Sequence, residues 1–290
     1  MSLLTTSPFL SRLSISADDT QGTLPSEGEL SVTRRGVRTS SCLTHSNKTD
    51  ALNTFHAALQ GIEPDPGWYS NPSNMGFLPF PLLYPQLPTE PFSLTQENTR
   101  QFKYMGRDQF RILWDSVRSL EIHTGLSRVY LQGTMGYGKS HILAALACLL
   151  FRLGYRPVYI DCRKMLADPL RYIRFALLGA FADPSSSSQR ASIRSLGSET
   201  EVVKFCNNQS EPMYFILDQK NALDLEDANG DDIYDKWKEP LSYFLVRMTV
   251  GHYRITSASA NHKTAVHMGR KQTGELKMSM MGGMSEGSNL

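Results

Sequence analysis

Three glycines, a lysine and a serine fall within eight positions, Gly133-Thr134-Met135-Gly136-Tyr137-Gly138-Lys139-Ser140, and a strongly apolar run follows directly behind them. This spacing fits G-x-x-x-x-G-K-[ST], the pattern of a loop that grips phosphate. Glycines let successive backbone N–H groups turn inward around phosphate oxygens with no Cβ in the way. A helix starting at the end of the loop adds the positive end of its dipole. Lys139 is then placed to reach the β and γ phosphates, and the Ser140 hydroxyl to bind Mg²⁺. The expected nucleotide-binding stretch is therefore Gly133, Thr134, Met135, Gly136, Tyr137, Gly138, Lys139, Ser140 and His141. An ordinary glycine-rich turn would look the same locally. A short β-rich run before the loop and a long helical pattern after it favour the phosphate reading.

A phosphate loop that uses Mg²⁺ needs an acidic partner at the tip of a buried strand. Asp218 ends the apolar run "MYFIL" and is the preferred candidate, while Asp161, after "RPVYI", has the same local look. Gln219 follows Asp218, where many hydrolysing ATPases carry a glutamate. A glutamine can orient water but is a poor general base. Asp224, Glu226 and Asp227 are alternative bases. Ser257, Ser259 and Asn261 end or follow the run "HYRITS" and are candidates to sense the γ-phosphate, with Ser257 favoured by position. Lys139, Gln219 and Ser257 are thus the expected catalytic set, and Ser140 and Asp218 the expected Mg²⁺ set. Arginines 107, 163, 171, 174 and 254 could all offset phosphate charge, and spacing selects none of them. The seven histidines and four cysteines show no metal-ligand or CxxC spacing.

The elements that must position these residues follow an alternating pattern. Residues 102–122 read as an amphipathic helix, with Phe110, Leu113, Trp114 and Val117 on one face. Strands are expected at 128–132, 156–161, 213–218 and 252–257, and helices at 139–153, from Asp168-Pro169 to Phe181, and around 233–249. The stretch 183–200 reads as a surface loop. Strands alternating with helices predict an α/β fold with a doubly wound parallel sheet. In domain terms, residues 1–60 form a disordered or weakly ordered tail that carries a small basic cluster at Arg34, Arg35 and Arg38. Residues 61–99 form a proline-rich extended segment, with eight prolines between Pro64 and Pro91, lying along the folded body. Residues 100–286 form the P-loop domain, and 287–290 a tail.

Composition narrows the function. A formal charge of +2 in 290 residues gives no strong nucleic-acid signal. The longest apolar run, Ile142 to Phe151, is about half the length that spans a bilayer. The N-terminus does not read as a secretory signal, so a cytoplasmic or nuclear location is expected, with secretion as an effector the alternative. Oligomeric state and protein partners are not encoded in any pattern here.

Taken together, "YLQGTMGYGKSHILAALACLL", "VYIDCRKML", "YFILDQKNAL" and "ITSASANHKTAVHMGRKQTGELKMSMMGGMSE" resemble the P-loop ATPase module of Crinkler-type effectors, with relatives in the retrotransposon hot spot proteins. The resemblance runs over residues 76 to 286. It implies a P-loop NTPase of the additional-strand class, in which "LKMSMM" supplies the fifth strand. In the family this module is often joined to a nuclease-like or kinase-like domain, and several members act in a host nucleus. Within the 290 residues no LFLAK-like stretch is read near residue 1 and no helical region is read after "LKMSMM", so export by the Crinkler route is not expected. The expectation is an ATP-binding protein with Mg²⁺, either a nucleoside triphosphatase or a non-hydrolysing nucleotide switch. A small-molecule phosphotransferase is a third reading, and it would need a basic lid for which only Arg163, Arg171 and Arg174 offer material.

Overall fold

A computed structural model describes residues 45–83, 92, 100–134, 136–224, 238–259 and 274–280, with residues 45–50 and 259 described by their backbone. The basic cluster at 34–38, Met135, Glu226, Asp227, Asn261 and the stretch 281–290 lie outside the described residues.

The described elements begin with helices α1 (His45–Gln60) and α2 (Pro66–Ser70), then an antiparallel pair, β1 (Met75–Pro79) and β2 (Gln101–Met105), and helix α3 (Asp108–Arg118). Next come β3 (Arg128–Gly133), α4 (Lys139–Arg152), β4 (Pro157–Asp161), α5 (Cys162–Met165) and α6 (Pro169–Ala180). Helices α7 (Ser187–Ser195) and α8 (Glu199–Asn207) lead to β5 (Tyr214–Asp218), and α9 (Lys238–Met248), β6 (Tyr253–Ser259) and β7 (Glu275–Met280) complete the described elements. Five of these strands form one parallel sheet in the order β4-β5-β6-β3-β7. Their side chains explain the choice. β4 is buried along its whole length and β5 almost so, as expected of parallel strands covered on both faces.

Helix α4 organises what lies on one of those faces. Ile142 to Phe151 are all buried, so the helix has no face to offer water and must be covered all round. The sheet covers one side. Much of the rest is closed by α1 and β1, where Phe55 meets Phe151 at 6.3 Å and the Cys148 thiol donates to the Pro79 carbonyl at 3.1 Å. Composition had assigned residues 45–60 to a weakly ordered tail. They form α1 instead, because Leu52, Phe55 and Leu59 supply an apolar stripe that α4 requires. Among the described residues of the proline-rich segment, Leu78, Phe80, Leu82 and Phe92 are buried.

Two further expectations are corrected. The helix expected over 102–122 begins only at Asp108. Residues 101–105 instead alternate, with Phe102 and Tyr104 buried and Lys103 and Met105 exposed, which is strand periodicity. The expected loop 183–200 contains α7 and the start of α8. The Ser198 hydroxyl accepts from the Glu201 backbone N–H at 3.3 Å while the Glu201 carboxylate accepts from Ser198 N–H at 3.1 Å, a capping box that S-x-x-E spelled out.

Ahead of α7, Asp183 gathers Arg156, the Ser185 hydroxyl and the Ser186 hydroxyl. Burial alone would raise its carboxyl pKa, but these donors and the Arg156 charge together hold it well below the usual 3.8. A depressed carboxylate adds stability that is complete above the unfolded value and is lost as pH falls through it toward the folded one. Asp183→Asn is therefore expected to lower the melting temperature by several degrees at pH 7, with the difference shrinking below pH 3.8. Thermal unfolding of both proteins from pH 7 to 3 measures this.

Candidate functional site at the carboxyl ends of the sheet

β3 runs into the glycine-rich stretch and α4 leaves it. Gly138 is the N-cap of α4 at φ 75, and no side chain caps the helix, so its first N–H groups are left for a ligand or water. Gly133 is needed for closeness: a Cβ there would lie 2.6 Å from the Met280 carbonyl oxygen on β7. Lys139 is half-buried and folds back over the loop. Its Nζ donates to the Gly133 carbonyl at 2.6 Å and the Thr134 carbonyl at 2.8 Å. Burial lowers its pKa, and the charge of Asp218 opposes that effect. Ser140 follows in the first turn, half-buried. His141 is also half-buried, its ring 4.6 Å from that of Phe92. Burial and then the Arg107 charge lower its pKa, against Asp218, so the neutral imidazole is favoured.

Asp218 ends β5, one strand removed from β3 across β6, and is 1 % exposed. Its Oδ1 accepts from the Ser257 hydroxyl at 2.6 Å and the Gln219 N–H at 3.0 Å, and its Oδ2 from the Tyr159 hydroxyl at 3.0 Å. Burial, followed by the Asp218 charge, pushes the Tyr159 phenol well above 10.0, so that hydroxyl stays a donor. The rival, Asp161, is otherwise engaged. Its carboxylate caps α5 by accepting from the N–H groups of Arg163 at 3.0 Å and Lys164 at 3.2 Å. Burial and then Asp218 raise its pKa, and those backbone bonds work against the rise.

Ser257 sits on β6, 1 % exposed, and its proton goes to Asp218 while its oxygen accepts from Gln219 N–H at 3.2 Å. The geometry therefore uses this hydroxyl to orient the aspartate. Gln219 is the one non-glycine residue at positive φ among those described, at φ 54 and ψ 45. A conformation of that kind costs roughly 1–3 kcal/mol and persists where the surroundings impose it. Here the two acceptors on its N–H do so. Asp224 lies close by at the end of the turn after β5, and its backbone carbonyl accepts from Lys238.

Of the arginines, Arg107 reaches the loop, donating from Nη1 to the Tyr137 carbonyl at 2.9 Å. Arg174 donates to the Arg194 carbonyl, and Arg171 lies over the Phe175 ring. Arg254 pairs in register with Arg128 at the far end of the sheet. Tyr137 is exposed. Tyr159 and the special position of Arg107 were not singled out by the sequence, because a buried tyrosine and an arginine after glycine carry no local signature. No group of three or more His, Cys, Asp or Glu among the described residues could hold a metal by itself, and none of their helices is long and apolar enough to cross a membrane.

A P-loop strand flanked by β6 and β7, with the acidic strand β5 beyond β6, gives the order of the additional-strand P-loop NTPases. The fold is that of a P-loop NTPase. No protein-family model matches the chain, and no curated protein does. Among solved structures, a DNA replication initiation factor is similar at 12 % identity and a TM-score of 0.35, over 58 % of this chain and 45 % of that one. The Aeropyrum pernix ORC2 protein, solved as ADPNP–ADP complexes, is similar at 15 % identity and a TM-score of 0.34, over 60 % of this chain and 47 % of that one. The chain thus spans less than half the length of each structure.

Proposed function

We propose that this chain binds ATP with Mg²⁺ and acts as a nucleoside triphosphatase. One observation carries the reading: Lys139 and the uncapped start of α4 stand at the same end of the sheet as a buried, three-way oriented Asp218, whose charge is felt at Lys139. The fit of Mg²⁺ rests on donor chemistry. Asp218 and Ser140 offer the hard oxygens that this ion takes, and among the described residues three donors engage the about four acceptor sites of Asp218. Bound there, Mg²⁺ would neutralise phosphate charge. The protein residues would then divide the work. The loop N–H groups and Lys139 hold the triphosphate, Tyr159 and Ser257 hold Asp218, and Gln219 orients the attacking water. The resemblance to the Crinkler-type ATPase module supports the same assignment.

A second reading, a switch that binds without hydrolysis, is favoured by two specific features. The residue after Asp218 is glutamine rather than a stronger base, and the Ser257 hydroxyl is spent within the Asp218 pair. Calorimetry of ATP on the full chain, with Mg²⁺ and with EDTA, followed by phosphate release on the same sample, separates the two. Binding with release supports the triphosphatase, and binding without release supports the switch. A folded protein that binds no nucleotide would exclude both.

A further inference from the structure

The phosphate loop is approached by a second cation that does not come from the sheet. Arg107 immediately precedes α3, and its backbone is fixed on both sides. Its N–H donates to the Tyr69 carbonyl at 2.9 Å, and Gly106 before it packs so closely that a Cβ would stand 2.1 Å from the Asn71 carbonyl oxygen. The guanidinium lies against the loop. Nη1 donates to the Tyr137 carbonyl, and a Cβ on residue 138 would be 2.0 Å from Nη1 and 2.6 Å from Cζ. The glycine at 138 therefore serves Arg107 as much as it serves the turn.

Among the described residues Arg107 has no anion beside it, and its Nε is buried with no hydrogen-bond partner. Leaving a charged donor buried and unpaired is costly, and the loop carbonyl satisfies only one of the five N–H groups of a guanidinium. The planar fork of that group matches two phosphate oxygens at once, which an ammonium cannot do.

We propose that Arg107 is a phosphate-binding residue of this loop, a cis-acting arginine delivered by the segment before α3 to a polyphosphate held at Gly133–Ser140. The assignment rests on the nucleotide-binding reading above. It makes a trans-acting arginine from a second copy unnecessary for charge at the loop, and it ties β1, β2 and α3 to the occupancy of the site.

The test titrates the full-length wild type, Arg107→Gln, Arg107→Lys and Lys139→Ala with ATP and with inorganic tripolyphosphate, in Mg²⁺, at low and raised salt. Arg107→Gln is expected to weaken both ligands by about tenfold or more and to flatten the loss of affinity with salt. Arg107→Lys restores part of the affinity, because charge returns without the fork. ATP and tripolyphosphate affinities for Arg107→Gln within about twofold of wild type, or a loss for ATP with tripolyphosphate unchanged, would overturn the assignment. A loss whose salt dependence matches the wild type would make Arg107 a strut for the loop and overturn it equally. Thermal unfolding checks that Arg107→Gln folds. If it does not, Arg107→Lys decides, with an intermediate loss expected and wild-type affinity for both ligands overturning the assignment. The two readings fail differently. Lys139→Ala losing affinity while the Arg107 variants keep it removes Arg107 alone, whereas a wild type that binds neither ligand removes the nucleotide reading and Arg107 with it.

Discussion

Lys139→Ala is expected to weaken ATP binding by roughly 10–100-fold, the span that corresponds to losing one charge-assisted phosphate contact. The fold should survive the change. Lys139 sits at the first position of α4, where alanine is a good helix former, and the two carbonyls it now caps, of Gly133 and Thr134, flank the exposed loop. The loss should therefore appear in affinity and not in the melting temperature of the free protein. Burial already disfavours the ammonium in the free protein, and a bound triphosphate offsets that desolvation. Calorimetry with ATP, beside a thermal melt without ligand, measures both. Wild-type affinity in a folded Lys139→Ala would make the loop an ordinary turn.

Asp218→Asn is expected to abolish the effect of Mg²⁺ on ATP affinity and to reduce any phosphate release by about 100-fold or more, since carboxylate charge is what the ion needs there. Asparagine keeps the shape of the side chain. Its oxygen can still accept from Ser257 and the Gln219 N–H, and its amide can donate to the Tyr159 hydroxyl, which can turn to accept. Stability should fall by no more than a few degrees, while the ratio of affinities with and without Mg²⁺ moves to about one. Asp161→Asn is the control. It weakens the cap on α5 and leaves that ratio as in the wild type. If the two variants behaved alike, Asp218 would be a structural aspartate and the metal assignment would fail.

The apolar strands and the long helix after the glycine-rich loop were legible because each is a local pattern of side chains that burial explains. Other elements were not. Gln101–Met105 lies so close to an amphipathic helix that its two-residue period was absorbed into the helical one, and it becomes a strand only because Met75–Pro79 offers a partner. Helix α1 was hidden by a polar composition, since only three buried apolar residues mark it. The stretch 183–200 is rich in serine, and serine serves caps and loops alike. The choice between Asp218 and Asp161 could be argued from apolar content. Their hydrogen bonds, which no local pattern carries, set the two apart: one carboxylate caps a helix and the other accepts from donors that include a residue on β6.

The sequence by itself determined the chemistry available at the loop: glycine spacing, one lysine and one serine ahead of a helix are covalent facts that no packing alters. It also determined a parallel α/β architecture, through strands too apolar to face water. Only the tertiary structure decided which distant groups come together near that loop. Asp218 and Ser257 meet because β5 and β6 pair side by side, and Arg107 reaches Tyr137 because α3 packs beside the loop. Those contacts join residues 39 and 30 positions apart, and their energy comes from burial and register, which short-range sequence patterns do not carry.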